Sequence, residues 1–266
     1  MKKIIFVSLA LALLVVACVT TGPGGKKSVV LMSTDQELQI GEAMAKEVAQ
    51  TEKRLADETW QRYLNDVGQK VVAVCDRRDI EYHFTVIESD DLNAFAAPGG
   101  HVYFYTGLLK AMENEGEMAS VLAHEISHVV ARHSVKRIQT AMGAALAYQL
   151  IFGDGGSEAM NAAISVGMGL LMAGYSRDAE READQYGVMY MKAAGYDPKA
   201  AITMFEKLAA AGGGGQGGVF ESMTSSHPDT QERIANAQAE IAQLGSTAGL
   251  ALNQTKYRDM KARLPK

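Results

Sequence analysis

The chain has 266 residues, 47% hydrophobic and 21% charged. That is enough to bury the core of one large domain or two small ones, and it excludes a disordered body. Two cysteines, Cys18 and Cys75, exclude a disulfide-stapled scaffold, and a formal charge of −5 argues against nucleic acid, whose phosphates require a basic face.

Met1-Lys2-Lys3 is a short positive region, and the uncharged run Ile4 to Ala17 has signal-peptide length, short of the roughly 20 residues that span a bilayer. The run ends in Val15-Val16-Ala17-Cys18, which resembles a bacterial lipobox, in which the cysteine is lipidated and becomes the mature N-terminus. Val15 breaks the small-x-small pattern of ordinary cleavage. Several acyl chains on one residue anchor stably, so the mature protein is expected to hang from a membrane by Cys18. Loss of Lys2 and Lys3 makes it more acidic still, with no polybasic patch. No aspartate follows Cys18, which under the enterobacterial rule points to the outer membrane, facing the periplasm. Residues 20–28, TTGPGGKKS, read as a flexible tether, and Cys75 as a small core residue.

Thr34-Asp35-Gln36-Glu37 reads as a capping box opening an amphipathic helix to about Thr51. A second helix, about Asp57 to Val74, carries Trp60, Leu64, Val67 and Val71 as a core stripe. Tyr82 to Ile87 alternates as a strand, Asn93 to Ala97 is extended, Pro98-Gly99-Gly100 is a turn and His101 to Tyr105 is another strand, giving a small sheet with a hairpin. After Gly107 no strand pattern returns. Helices are expected at about 115–132, 135–151, 158–173, 178–194, 198–211 and 229–244, with 212–218 a Gly-rich loop. The fold class is α+β, mainly helical.

His124-Glu125-Ile126-Ser127-His128 fits H-E-x-x-H inside an apolar helical run. Histidines at i and i+4 share one helical face, so both can reach one ion, and Glu125 flanks that face as a base for metal-bound water. Chance supplies such a match on the order of 0.01 times in a chain of this composition, and three ionisable groups in so apolar a helix would carry heavy desolvation costs without a metal or partners. A third ligand is still needed. The metzincin offsets hold Ala131 and Ser134 instead of Gly and His, and His133 points elsewhere on the helix, as a surface or second-layer residue. Glu180 and Asp184, one turn apart, supply a carboxylate ligand and an acceptor for a ligand imidazole. Alone, that segment would read as a solvated helix start. A tetrahedral site with one open position favours zinc, one per chain, over iron or manganese.

Together, His124 to His128, the Glu180-x-x-x-Asp184 pair, Asn93-Ala-Phe-Ala-x-Pro-Gly-Gly, and Ser226-His227-Pro228 with Arg233 resemble the zinc metallopeptidases of family M48, over about residues 35–244. The resemblance implies a gluzincin-type fold with the small sheet beside the H-E-x-x-H helix. It divides the chain into a leader (1–17), a lipidated N-terminus and tether (18–33), a peptidase domain (34–245) and a C-terminal tail (246–266). Integral-membrane members carry transmembrane helices, whereas the apolar stretches 142–152 and 159–173 are too short to span and read as buried or cleft-covering helices. In some relatives a histidine at the position of His227 closes the fourth zinc position as a latch; a His-Pro turn before the helix near Asp229 is the other reading. Arg233 either stabilises a developing oxyanion or bridges a carboxylate. An extended substrate is expected to add a strand beside Gly99, Gly100, His101, Val102 and Tyr103.

The expected reaction is hydrolysis of peptide bonds in unfolded or misassembled envelope polypeptides, with the outer-membrane assembly machinery or a related protease as further partners. The competing class is a latent or non-hydrolytic zinc-containing chaperone or scaffold for outer-membrane assembly.

Overall fold

The computed structural model describes residues 19–152, 157–212 and 230–266. In chain order these form β1 (Val19–Thr21), β2 (Lys27–Val29), α1 (Thr34–Thr51), α2 (Glu58–Val72), β3 (His83–Ile87), β4 (Ala94–Ala97), β5 (His101–Tyr105), α3 (Thr106–Ala111), α4 (Glu115–Val130), α5 (His133–Phe152), α6 (Ser157–Leu170), α7 (Arg177–Ala193), α8 (Lys199–Gly212), α9 (Thr230–Gln243) and α10 (Gln254–Lys261). The fold is mainly helical with a three-stranded sheet of order β3-β5-β4, in which β3 and β5 are parallel and β4 and β5 antiparallel.

Alternation along β5 assigns the two faces of the sheet. Val102 and Phe104 enter a core built with α2, α4, α7 and α8 around Trp60, Leu64, Leu122, Ile126 and Met204. Tyr103 and Tyr105 enter a second core with α1, α5 and α6 around Ile40, Met44, Ile138 and Ala163. Helix α4 lies buried along its whole length and packs most extensively on α7. Gly187 permits that approach, because a Cβ there would sit 3.3 Å from the His124 backbone nitrogen. At the β4–β5 turn Gly100 has φ +90° and a Cβ would overlap the Glu81 carbonyl, so the turn requires glycine.

The capping box of α1 lies one residue earlier than expected. Ser33 Oγ accepts from Gln36 N (3.2 Å) and Gln36 Oε1 accepts from Ser33 N (2.9 Å). Glu37 is thereby released to a buried cluster, where Arg77 donates two hydrogen bonds to it (2.8 and 2.9 Å) and Arg132 Nε lies 3.2 Å away. Arg77 also donates to Val129 O near the C-terminus of α4.

The stretch expected to be a flexible tether instead forms the β1–β2 hairpin, with Val19 opposite Val29. Its turn is held because its polar groups find acceptors on the body: Gly24 N donates to Asp76 Oδ2 (2.8 Å) and Lys26 Nζ to Glu182 Oε1 (3.0 Å). The expected C-terminal tail is likewise packed. Tyr257 of α10 is buried, donates to Leu109 O (2.7 Å) and meets Trp60 edge-on. Met260 and Leu264 pack on the same core, but apolar residues spaced this sparsely left no clear period to read. Helices α5 and α6 pack on each other, with α6 on α1. No helix among the described residues is long and apolar enough to cross a membrane.

Candidate active site

Asn114 Oδ1 caps α4 by accepting from Glu117 N (2.9 Å), and Glu115 puts a carboxylate at the positive end of the helix. Three turns on, His124 and His128 project from one face with their Nε2 atoms 3.0 Å apart. Helix α7, capped by Ser176, brings Glu180 opposite them. Its Oε2 lies 3.6 Å from His124 Nε2 and its Oε1 3.5 Å from His128 Nε2. These separations bracket the roughly 3.3 Å between ligand atoms held about 2.05 Å from one tetrahedral ion. Among the described residues, this is the group of metal-ligand side chains close enough to share an ion, and all three are buried.

The other nitrogen of each ring also has a partner. Asp184 Oδ1 lies 2.8 Å from His124 Nδ1 and accepts a hydrogen bond from it, an arrangement that leaves Nε2 bare and able to take a metal. Arg233 from α9 grips Asp184 with two donors (Nε to Oδ2, 2.8 Å; Nη2 to Oδ1, 2.7 Å), lies 3.8 Å from Glu180 Oε2 and stacks over Phe205 at 4.3 Å. Burial alone would raise the Asp184 pKa, but the Arg233 charge and the hydrogen bonds from His124 and Arg233 hold it well below the ordinary carboxylate range. Of the two readings of Arg233, the geometry is that of a carboxylate bridge.

Glu125 is fully buried beside this group, and burial, reinforced by the nearby Glu180 charge, pushes its pKa up to about 8 against the opposing pull of His124, Arg233 and the Ala96 N–H. A dication among the three ligands would draw it back down. The Tyr175 ring stacks on His128 at 4.0 Å, and its hydroxyl is 2.7 Å from Ser134 Oγ.

Of the two places expected for His133, the surface and a layer behind the ligands, the structure shows the second, though on a separate helix. Helix α4 ends at Val130, Arg132 takes φ +54°, and α5 starts at His133, which folds back against His128 with 2.8 Å between the Nδ1 atoms. Gly99, Gly100, His101, Val102 and Tyr103 do not form an edge. β5 is the central strand, bonded to β3 on one side and β4 on the other, so a substrate strand has no free edge there. β4 takes the edge beside the site, and its Ala96 carbonyl accepts from Ser134 Oγ (3.3 Å). Periodicity reported the strands but carries no pairing order. Cys18 and His227 lie outside the described residues. Sequence reasoning missed Tyr175 and Glu182 as neighbours of the site, although both lie in the charged segment that supplied Glu180.

An H-E-x-x-H helix completed by a glutamate from a following helix defines a metallopeptidase centre of the two-histidine, one-glutamate kind. The sequence profile of Peptidase family M48 matches residues 58–241, and the chain belongs to that family. It is similar to the Beta-barrel assembly-enhancing protease of Escherichia coli (strain K12), 30% identical over 187 residues, which are 66% of this chain and 38% of the relative. It is also similar to the Mitochondrial metalloendopeptidase OMA1 of Schizosaccharomyces pombe, 35% identical over 175 residues, 65% of this chain and 50% of the relative. A third relative is the Metalloprotease YcaL of Escherichia coli (strain K12), 32% identical over 163 residues, 60% of this chain and 62% of the relative. The chain thus spans about two-fifths to two-thirds of the length of these relatives.

Proposed function

We propose that this chain is a zinc-dependent endopeptidase, anchored at the cell envelope by lipid on Cys18, that cleaves unfolded or misassembled envelope polypeptides. The observation that carries the reading is the convergence of His124 Nε2, His128 Nε2 and Glu180 on one buried point with Glu125 beside it. Zinc suits this donor set, two imidazoles and a carboxylate, and when bound it supplies Lewis-acid polarisation of a scissile carbonyl and acidification of a water. Glu125 takes the proton from the attacking water and returns it to the leaving amine. Asp184, clamped by Arg233, keeps His124 in the ligating tautomer.

A small gap beside His124, Asp184 and Arg233 is lined by the apolar side chains of Val121, Val188, Met191, Met204, Phe205 and Leu208. The leader and lipobox support an envelope location, as does the name of the Escherichia coli relative that enhances β-barrel assembly. The machinery that assembles such barrels is the partner this suggests.

Degradation of casein or an unfolded porin by the wild type and by Glu125→Gln tests the reading. We expect hydrolysis by the wild type and a loss of about 10²–10⁴-fold in the variant with zinc content unchanged. A wild type that binds unfolded porin without cutting it would return the protein to the chaperone class.

A further inference from the structure

The hydrolytic scheme makes no use of His133, yet its side chain is only 6% exposed and lies against a ligand. The left-handed turn at Arg132 brings it there. His128 Nδ1 lies 2.8 Å from His133 Nδ1, His133 Nε2 lies 3.1 Å from Glu182 Oε2, and Lys26 Nζ donates to Glu182 Oε1 at 3.0 Å. The chain of contacts therefore runs from the metal position, through two imidazoles and a carboxylate, to the hairpin that follows the lipidation site.

The proton positions along it follow from chemistry. His128 Nε2 faces His124 Nε2 and Glu180 and must be bare to ligate, so its Nδ1 carries the proton. His133 Nδ1 then accepts, which leaves the His133 proton on Nε2, aimed at Glu182, a carboxylate that can only accept. With the opposite tautomer of His133, two N–H groups would face each other at 2.8 Å. Each member thus fixes the next.

We propose that His133 and Glu182 are positioning residues of the metal centre, fixing the tautomer and ring angle of His128 as Asp184 and Arg233 fix those of His124. The inference rests on the zinc-peptidase reading and deepens it. The two ligand rings are held by different devices: a carboxylate clamped by a buried guanidinium on one, and an imidazole relayed to a carboxylate on the other. Substitution in the relay should weaken metal binding without removing a ligand.

The test is zinc affinity, measured by competition with a fluorescent chelator on the full mature chain in detergent, with the unfolding midpoint of the metal-free protein as a folding control. His133→Leu should bind zinc about 10–100-fold more weakly than wild type. His133→Asn, whose Oδ1 falls near the accepting Nδ1 position, should recover most of that loss, a rescue that a merely space-filling role would not produce. Glu182→Leu, at a surface-grazing position with 14% of its side chain exposed, should also weaken binding and serves if His133→Leu fails to fold. Wild-type affinity in either leucine variant, or an asparagine variant as weak as the leucine one, overturns the relay. A wild type that takes up no zinc overturns the site reading itself.

Discussion

Asp184→Asn separates the two tasks of the buried carboxylate. Asp184 and Arg233 are 4% and 6% exposed and joined by two hydrogen bonds. An amide keeps the shape but removes the charge that compensates a buried guanidinium. Breaking a buried pair from one side costs about 3–5 kcal/mol; Glu180, 3.8 Å from Arg233, offsets part of this, so we expect the low end, about 3 kcal/mol for the metal-free protein. At roughly 2–4 °C per kcal/mol for a chain of this size, the unfolding midpoint should fall by about 6–12 °C. The asparagine also loosens the tautomer of His124, which should weaken zinc binding about 10–100-fold. Because zinc stabilises the folded state in proportion to its affinity, the midpoint should fall further under excess zinc, by the equivalent of about 1.4–2.7 kcal/mol. Thermal unfolding followed by circular dichroism, with and without zinc, reads both effects. Equal losses in the two conditions would refute the link between Asp184 and the ligand, and no loss in the metal-free protein would refute the buried pair.

Glu115 predicts an acid limb of stability. Burial alone would raise its pKa, but hydrogen bonds from Tyr63 (2.6 Å), Tyr196 (2.8 Å) and Asn253 (2.7 Å) and the charge of Lys256 bring it below the ordinary value. Its contribution is therefore complete above the unfolded-state pKa of about 4.3 and is lost as pH falls through the lower folded value. Glu115→Gln should lower the unfolding midpoint at pH 7, with the gap to wild type closing below about pH 4; a gap constant from pH 7 to pH 3 would contradict this. Cys18→Ala should abolish palmitate labelling and membrane association while leaving peptide hydrolysis by the soluble chain intact, and a mature N-terminus other than Cys18 would refute the anchor.

The H-E-x-x-H face could be read directly because it lies within one helix, where residues four apart meet whatever the rest of the chain does. Glu180 and Asp184 were readable for a related reason: they form one i,i+4 pair, and two histidines in an apolar helix require a carboxylate from somewhere. The small sheet and its β4–β5 hairpin were legible but the strand order was not, since alternation along His101 to Tyr105 is the same for a central strand as for an edge. Its central place follows from a parallel pairing with β3 that closes across the intervening β4. Glu37 looked like a helix cap because the local pattern Thr-x-x-Glu is satisfied; the two arginines that claim it come from 40 and 95 residues away. The separate helix of His133 was missed by continuing α4 through Arg132, where a left-handed residue separates it from α5. Local spacing specifies what a helix or strand offers on each face. Which distant group answers that offer depends on how α4, α5, α7 and α9 pack, and burial then makes each unanswered polar group too costly to leave alone.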